Sequence, residues 1–461
     1  MLSVGFAQED ITPALGRPVA GTGDERPANT VELPLHARAM TLDDGERRVA
    51  LVALDVLFLN ADTVAEIRET VAESTGIAPQ DTLVACTHTH YAPRTTALHD
   101  HEPDHDYLDR IRSAVARTIA VALDRQRAAR LNFASVSAPG WTFNRRPIYR
   151  SGQVGTQGPA HGPDFVALEG PVDDELQLLL ASAVDDGRPL GGIVNFACHA
   201  TVRPDGPPKV SADYPGRLTE QLAARLGGGV FLYTAGACGD LWSFDLTRRT
   251  PRFEDSTTHL HAMGDALAEA AIEALPRATP LDVPRIRSAR RVVRLAQRRP
   301  TRRQLELARW YLEQAPDDVD LAALTQEAYG HAHTFYEPTV FHAAWFARET
   351  IGMWEWQRRV GTRALVEDLE VHALALGDLA IAAYPVELFA ELGIATKRRS
   401  AFPHTMVATL ANGWHGYAPT VTAFERGGYE PRLGQQSRLE EQAGPKLVEA
   451  AGVLLSELSR R

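Results

Sequence analysis

Three cysteines in 461 residues, Cys86, Cys198 and Cys238, are too few and too far apart for a disulfide framework, and no two have zinc-ribbon spacing. Lysine is equally scarce. Lys209, Lys397 and Lys446 are the whole set, and arginine carries the rest of the positive charge. The balance is acidic, with a net charge of −11, which argues against nucleic acid or an anionic membrane surface as a partner. No stretch of ~18 consecutive apolar residues occurs, so no membrane span is expected. The opening residues Met1 to Asp10 lack a basic segment followed by an apolar one, so no secretion signal is expected either. The expectation is a soluble protein of a reducing cytoplasm. With 44% apolar and 23% charged residues, disorder is excluded.

What is present is an alternation of strand and helix signals. Arg48 to Leu59 is a nearly continuous apolar run, as in a strand covered on both faces. Asp62 to Thr75 reads as an amphipathic helix closed by Gly76. Strands then read over Thr82–Thr87, Gly192–Cys198 and Val230–Thr234, and helices over Tyr107–Leu123, Tyr214–Leu226 and His259–Leu275. Helices are also expected at Thr301–Gln314, Asp320–Tyr329 and Phe341–Arg359, in an aromatic and arginine-rich stretch, and strands return at Glu367–Leu376 and Leu379–Tyr384. Gly140 to Pro163, rich in glycine and proline, reads as a long loop. This is an α/β chain with a mixed central sheet flanked by helices.

Residues that suit chemistry gather at strand ends. Thr87-His88-Thr89-His90 follows an apolar strand, and strand alternation would put both imidazoles on one face. They suit a metal or proton transfer, or simply two hydrogen-bonded rings on a polar turn. His199 follows another strand, where a satisfied core histidine is the plainer reading. Asp240 follows the glycine-rich turn Ala235 to Gly239, at the kind of edge where open α/β sheets bind ligands; a turn closed by its own hydrogen bond is the alternative. Glu387 precedes the expected helix Leu388–Lys397 and fits either a ligand or an acid in a first helical turn. Asn412 to Thr420, then Phe424 to Glu430, read as loop dense in tyrosine, histidine and glycine. Taken together, two histidines and a carboxylate on three strands form a mixed N/O set suited to zinc with an open position.

These motifs resemble the neutral/alkaline non-lysosomal ceramidase family. The resemblance rests on Asp10-Ile11-Thr12-Pro13, Leu35-His36-Ala37-Arg38-Ala39, Thr87-His88-Thr89-His90 and Asn144-Arg145-Arg146-Pro147. It continues through Ser211-Ala212-Asp213-Tyr214-Pro215-Gly216, Gly239-Asp240, Pro385-Val386-Glu387 and Gly427-Gly428-Tyr429-Glu430, in order from about residue 4 to 430. The resemblance implies one catalytic zinc held by His88, His199, Glu387 and Tyr417. It implies active-site roles for His90, Arg145 and Tyr429, and His90 or Asp240 would manage protons. One catalytic domain over 1–461 is then expected, with a helical insertion at about 300–360 and without the family's C-terminal β-sandwich.

The chain also departs from that pattern. Where the family carries a serine and then a proline after the glycine–acid pair, this chain has Leu241-Trp242-Ser243-Phe244, and Tyr91-Ala92-Pro93 follows the histidine pair. A small amide or ester metabolite is therefore expected rather than ceramide. The alternative is acyl transfer, cyclisation or another non-hydrolytic step of a bacterial biosynthetic pathway at the same metal site. A homo-oligomer is expected only on the general frequency of such enzymes. All three cysteines lie beside the strand-end residues, which suits tight packing; Cys86 would share a strand face with His88, placing a thiol near the metal.

Overall fold

The computed structural model describes residues 2–21, 26–97, 101–152, 154–158, 160–202, 205–314, 333–335, 340–361 and 365–460. Two sheets dominate. The larger is built from β1 (Ser3–Asp10), β2 (His36–Asp43), β3 (Arg48–Leu54), β4 (Thr82–Cys86), β5 (Arg127–Ser137), β6 (Glu175–Ala183), β7 (Pro189–Phe196) and β8 (Val230–Ala235). Their order is β8-β7-β6-β5-β1-β2-β3-β4, with Thr279–Leu281 added on β5. β3 and β4 are parallel, as are β7 and β8, and the other pairs are antiparallel. The second sheet has the order β9 (Ile286–Ala296), β10 (Val366–Leu376), β11 (Leu379–Ala383) and β12 (His404–Ala408), with β11 and β12 parallel. The architecture is mixed α/β, as the sequence pattern leads one to expect.

Alternate residues of each strand face different cores, which is why the strands read as unbroken apolar runs. On β3, Val49, Leu51 and Ala53 enter the core between the two sheets, with Leu374, Ile381 and Met406 of the second sheet. Ala50, Val52 and Leu54 face the opposite way, onto α1 (Ala61–Thr75), α2 (His105–Asp124), α3 (Asp213–Arg225) and α4 (Ser256–Ala274). The outer face of the second sheet, through Leu369, Val371 and Ala373, packs on α7 (Ala390–Arg399) and α8 (Ala443–Ser459). The result is helix, sheet, sheet, helix. The connection from β9 to β10 carries α5 (Arg302–Gln314) and α6 (Val340–Val360), which pack on each other through Ala308, Tyr311 and Ala347. Among the described residues no helix is long and apolar enough to cross a membrane.

Several local expectations change. The apolar run from Arg48 is strand only to Leu54; Asp55 to Leu59 leave the sheet while staying mostly buried. Gly140 to Pro163 is not one loop. Phe143–Asn144 pairs with Leu241–Trp242, and Pro147–Tyr149 and Val154–Thr156 belong to a small four-stranded sheet completed by Phe165–Leu168 and His333–Phe335. The helix expected at Asp320–Tyr329 lies outside the described residues.

Candidate metal centre

The three parallel strand pairs send their C-terminal ends to one place, where ligands of α/β sheets bind. The segment Thr409–Asn412, beyond β12, joins them. Thr409 N–H donates to Ala235 at the end of β8 at 2.8 Å, and Cys86 N–H at the end of β4 donates to Leu410 at 3.1 Å. The turns after β4, β7, β8, β11 and β12 therefore surround a common centre.

His88 and His90 meet there, but not by strand alternation. β4 ends at Cys86, and His88 sits in the left-handed region at φ 68°. Its amide is held by the Val56 carbonyl at 3.1 Å, and Thr89 Oγ1 donates to Ser211 O at 2.6 Å. That fixed turn brings the ring centroids of His88 and His90 to 5.0 Å, and those of His88 and His199 to 4.5 Å. Ligand nitrogens of all three histidines lie within 4.8 Å of one another.

Each ring is oriented the same way. His88 Nδ1 lies 3.0 Å from Leu57 O, His90 Nδ1 2.9 Å from Gly21 O, and His199 Nδ1 2.6 Å from Cys238 O. A carbonyl only accepts, so each Nδ1 carries the proton and each Nε2 presents a lone pair. All three Nε2 atoms are buried without a hydrogen-bond partner among the described residues, and so is Glu387 Oε2. Nε2 of His88 and of His199 each lie 3.3 Å from that oxygen. Burial, then the neighbouring Arg145 and His88, pull His199 down to about 4. It is neutral at pH 7, and its one proton is already placed on Nδ1. Lone pairs and an anionic oxygen thus converge with no donor between them. A cation resolves that repulsion, and backbone carbonyls on Nδ1 are the usual outer support of metal-binding imidazoles. The residues fit a metal ion.

Glu387 does not lie in the first turn of a helix. It forms a two-residue strand, Glu387–Leu388, parallel to Tyr417–Ala418 and in register with Tyr417, three residues before α7. Trp414 Nε1 donates to its Oε1 at 2.9 Å. The Tyr417 hydroxyl accepts from Arg145 Nη2 at 3.1 Å, and the Tyr429 ring stands edge-on to Tyr417 at 5.7 Å. Arg145 is held by Glu430. Asp240, pushed up by burial to about 7, accepts from Asn144 Nδ2 at 2.8 Å and from the Ala390 amide at the start of α7 at 2.8 Å. Both its oxygens hold segments together.

Trp242 is half-buried and in register with Phe143, while Ser243 is buried and its hydroxyl has no partner among the described residues. Cysteine enters through its backbone: the Cys238 carbonyl orients His199, whereas burial pushes the Cys86 thiol up to about 12. Sequence reading missed Trp414 and Glu430, although both lie in the aromatic loop it marked. It also missed Phe346 of α6, whose ring lies 6.3 Å from Tyr429.

The fold has known counterparts. The chain is similar to the neutral ceramidase from Pseudomonas aeruginosa at a TM-score of 0.70 and 17% identity, covering 99% of this chain and 75% of that one. It is similar to a ceramidase complexed with C2 at a TM-score of 0.71 and 16% identity, covering 100% of this chain and 75% of that one. No protein-family model and no curated protein sequence matches the chain. At this identity the likeness is one of fold.

Proposed function

We propose that the chain is a metal-dependent hydrolase that holds one zinc ion through His88, His199, Glu387 and Tyr417 and cleaves an amide or ester bond of a small molecule. The observation that carries this reading is the set of buried, unpartnered acceptor atoms: Nε2 of His88, His90 and His199 and Oε2 of Glu387. Imidazole with one carboxylate suits zinc. The ceramidase fold of the similar structures supports hydrolysis.

When bound, such an ion supplies Lewis-acid polarisation of a carbonyl and lowers the pKa of water to ~7. The protein's own groups do the rest. His90, with its proton fixed on Nδ1 by Gly21, takes a proton at Nε2 and returns it to the leaving group. Arg145 and Tyr429 stabilise negative charge developing on the carbonyl oxygen. Asp240 positions Arg145, whose amide donates to the Asp240 carbonyl at 2.9 Å.

The test is metal analysis of protein purified without added metal, followed by a panel of small N-acyl amides and esters assayed in ¹⁸O-water. Bound zinc, loss of turnover on chelation and label in the product carboxylate are expected. Protein that is metal-free, and that zinc fails to activate, refutes the proposal. A second reading, acyl transfer or cyclisation at the same site, draws on the apolar ring of Phe346, 6.3 Å from that of Tyr429, since an apolar neighbour disfavours attacking water. In that case turnover leaves the product unlabelled.

A further inference from the structure

We infer that Trp414 is a positioning residue that makes Glu387 a one-oxygen ligand and so biases the centre toward a small, low-coordinate cation. The inference rests on the metal site proposed above and adds what holds its carboxylate.

The indole has one donor and no acceptor. It can bind Glu387 Oε1, at 2.9 Å, but cannot itself compete for a cation. With Oε1 occupied, Oε2 alone faces His88 and His199. The indole is clamped in turn. Its ring stacks on Phe58 at 4.0 Å with 4° between planes, and the Arg438 guanidinium lies 5.6 Å from its centroid. Arg438 is bonded twice to Glu367, at 2.5 and 2.9 Å. The next residue ties the loop to the ligand segment, as His415 N–H donates to Pro385 O at 2.9 Å. Trp414 is 5% exposed, so water does not replace its hydrogen bond. A carboxylate free at both oxygens chelates and suits larger cations such as calcium; one tied at one oxygen suits four-coordinate zinc.

Trp414→Phe keeps a ring against Phe58 and removes the N–H. Zinc affinity is measured on metal-free protein by competition with a chromophoric chelator. The same samples are loaded with Co(II), whose d–d absorption reports coordination number. Outer-shell partners of this kind change affinity about 10–100-fold. The variant is therefore expected to bind zinc that much more weakly and to show a weaker Co(II) band, with the thermal midpoint of the metal-free protein lowered by the lost donor to Glu387 but a single cooperative transition kept. If wild-type and variant bind zinc equally with the same Co(II) spectrum, the inference is overturned and the metal site stands. If the wild-type binds no zinc, the metal site itself fails and the inference with it. Should Trp414→Phe not fold, the assigned indole ¹⁵N–H resonance of wild-type Trp414 decides. A shift that saturates at one zinc per chain supports the role, and an unmoved resonance overturns it.

Discussion

Arg145 donates its Nε hydrogen to Glu430 at 2.7 Å, and both side chains are almost wholly buried, at 4% and 0% exposure. The other oxygen of Glu430 accepts from Arg146, which is itself fully buried and also bonded to Glu169. Glu430 therefore bridges two neighbouring guanidiniums, with Glu169 supplying the second negative charge, and aims Arg145 at Tyr417. Breaking a buried pair from one side costs about 3–5 kcal/mol, because the remaining charge stays desolvated. Glu430→Gln is expected to lose about 3 kcal/mol in urea unfolding and, under assay, to lose turnover through the displaced Arg145.

Gly21 touches the His90 imidazole. At φ +71°, a Cβ there would lie 2.3 Å from His90 Nδ1. Gly21→Ala is expected to displace the ring and lower kcat about tenfold or more, while zinc content holds and global stability falls by about 1–2 kcal/mol from the left-handed alanine. Metal analysis beside the kinetics separates the roles. A parallel fall in zinc affinity would make His90 a ligand rather than a proton carrier.

Glu387 sets two lone pairs against an anionic oxygen, a conflict that an amide removes. In metal-free protein, Glu387→Gln is expected to raise stability by about 1 kcal/mol, since its NH₂ can donate to the facing imidazoles. Zinc should stabilise wild-type by about 2.7 kcal/mol at a hundredfold excess over Kd, and the variant hardly at all. Thermal melts with and without zinc check both signs.

Asp213 connects protonation to stability. It is fully buried at φ 55°, accepts from the amides of Val202 and Tyr214, and is pushed by burial up to about 8. A folded pKa above the unfolded value of 3.8 means that the folded chain holds the proton longer. Its contribution is complete below about 4 and is lost as pH rises through about 8. Asp213→Asn cannot ionise. Its deficit relative to wild-type is therefore expected to shrink between pH 4 and 8 in urea titrations across that range.

Much of the layered fold was legible because β3, β4, β7 and β8 are buried on both faces and read as unbroken apolar runs. β9 was not. It is an edge strand that places Arg287, Arg290, Arg291 and Arg294 among its apolar residues, which protects an open edge but hides the period. The strands within Gly140–Pro163 were hidden because one partner, His333–Phe335, lies far along the chain. At the site, the histidines and Glu387 announced themselves by following strands. The manner of their meeting did not, since it depends on the left-handed turn at His88. Glu430 acts on a residue 285 positions away, and Trp414 on one 27 positions away; no local pattern encodes either contact.

The candidate ligands are divided between the two sheets, and this imposes an order in time. His88, His90 and His199 leave the ribosome with the first sheet. Glu387 and Tyr417 follow only after β11 and most of the second sheet have been made. During synthesis the early histidines present only part of the proposed ligand set. The full set closes when the second sheet docks and Thr409–Asn412 stitches β8 to β4. For the ligand set proposed above, metal capture is thus completed only once the second sheet is in place.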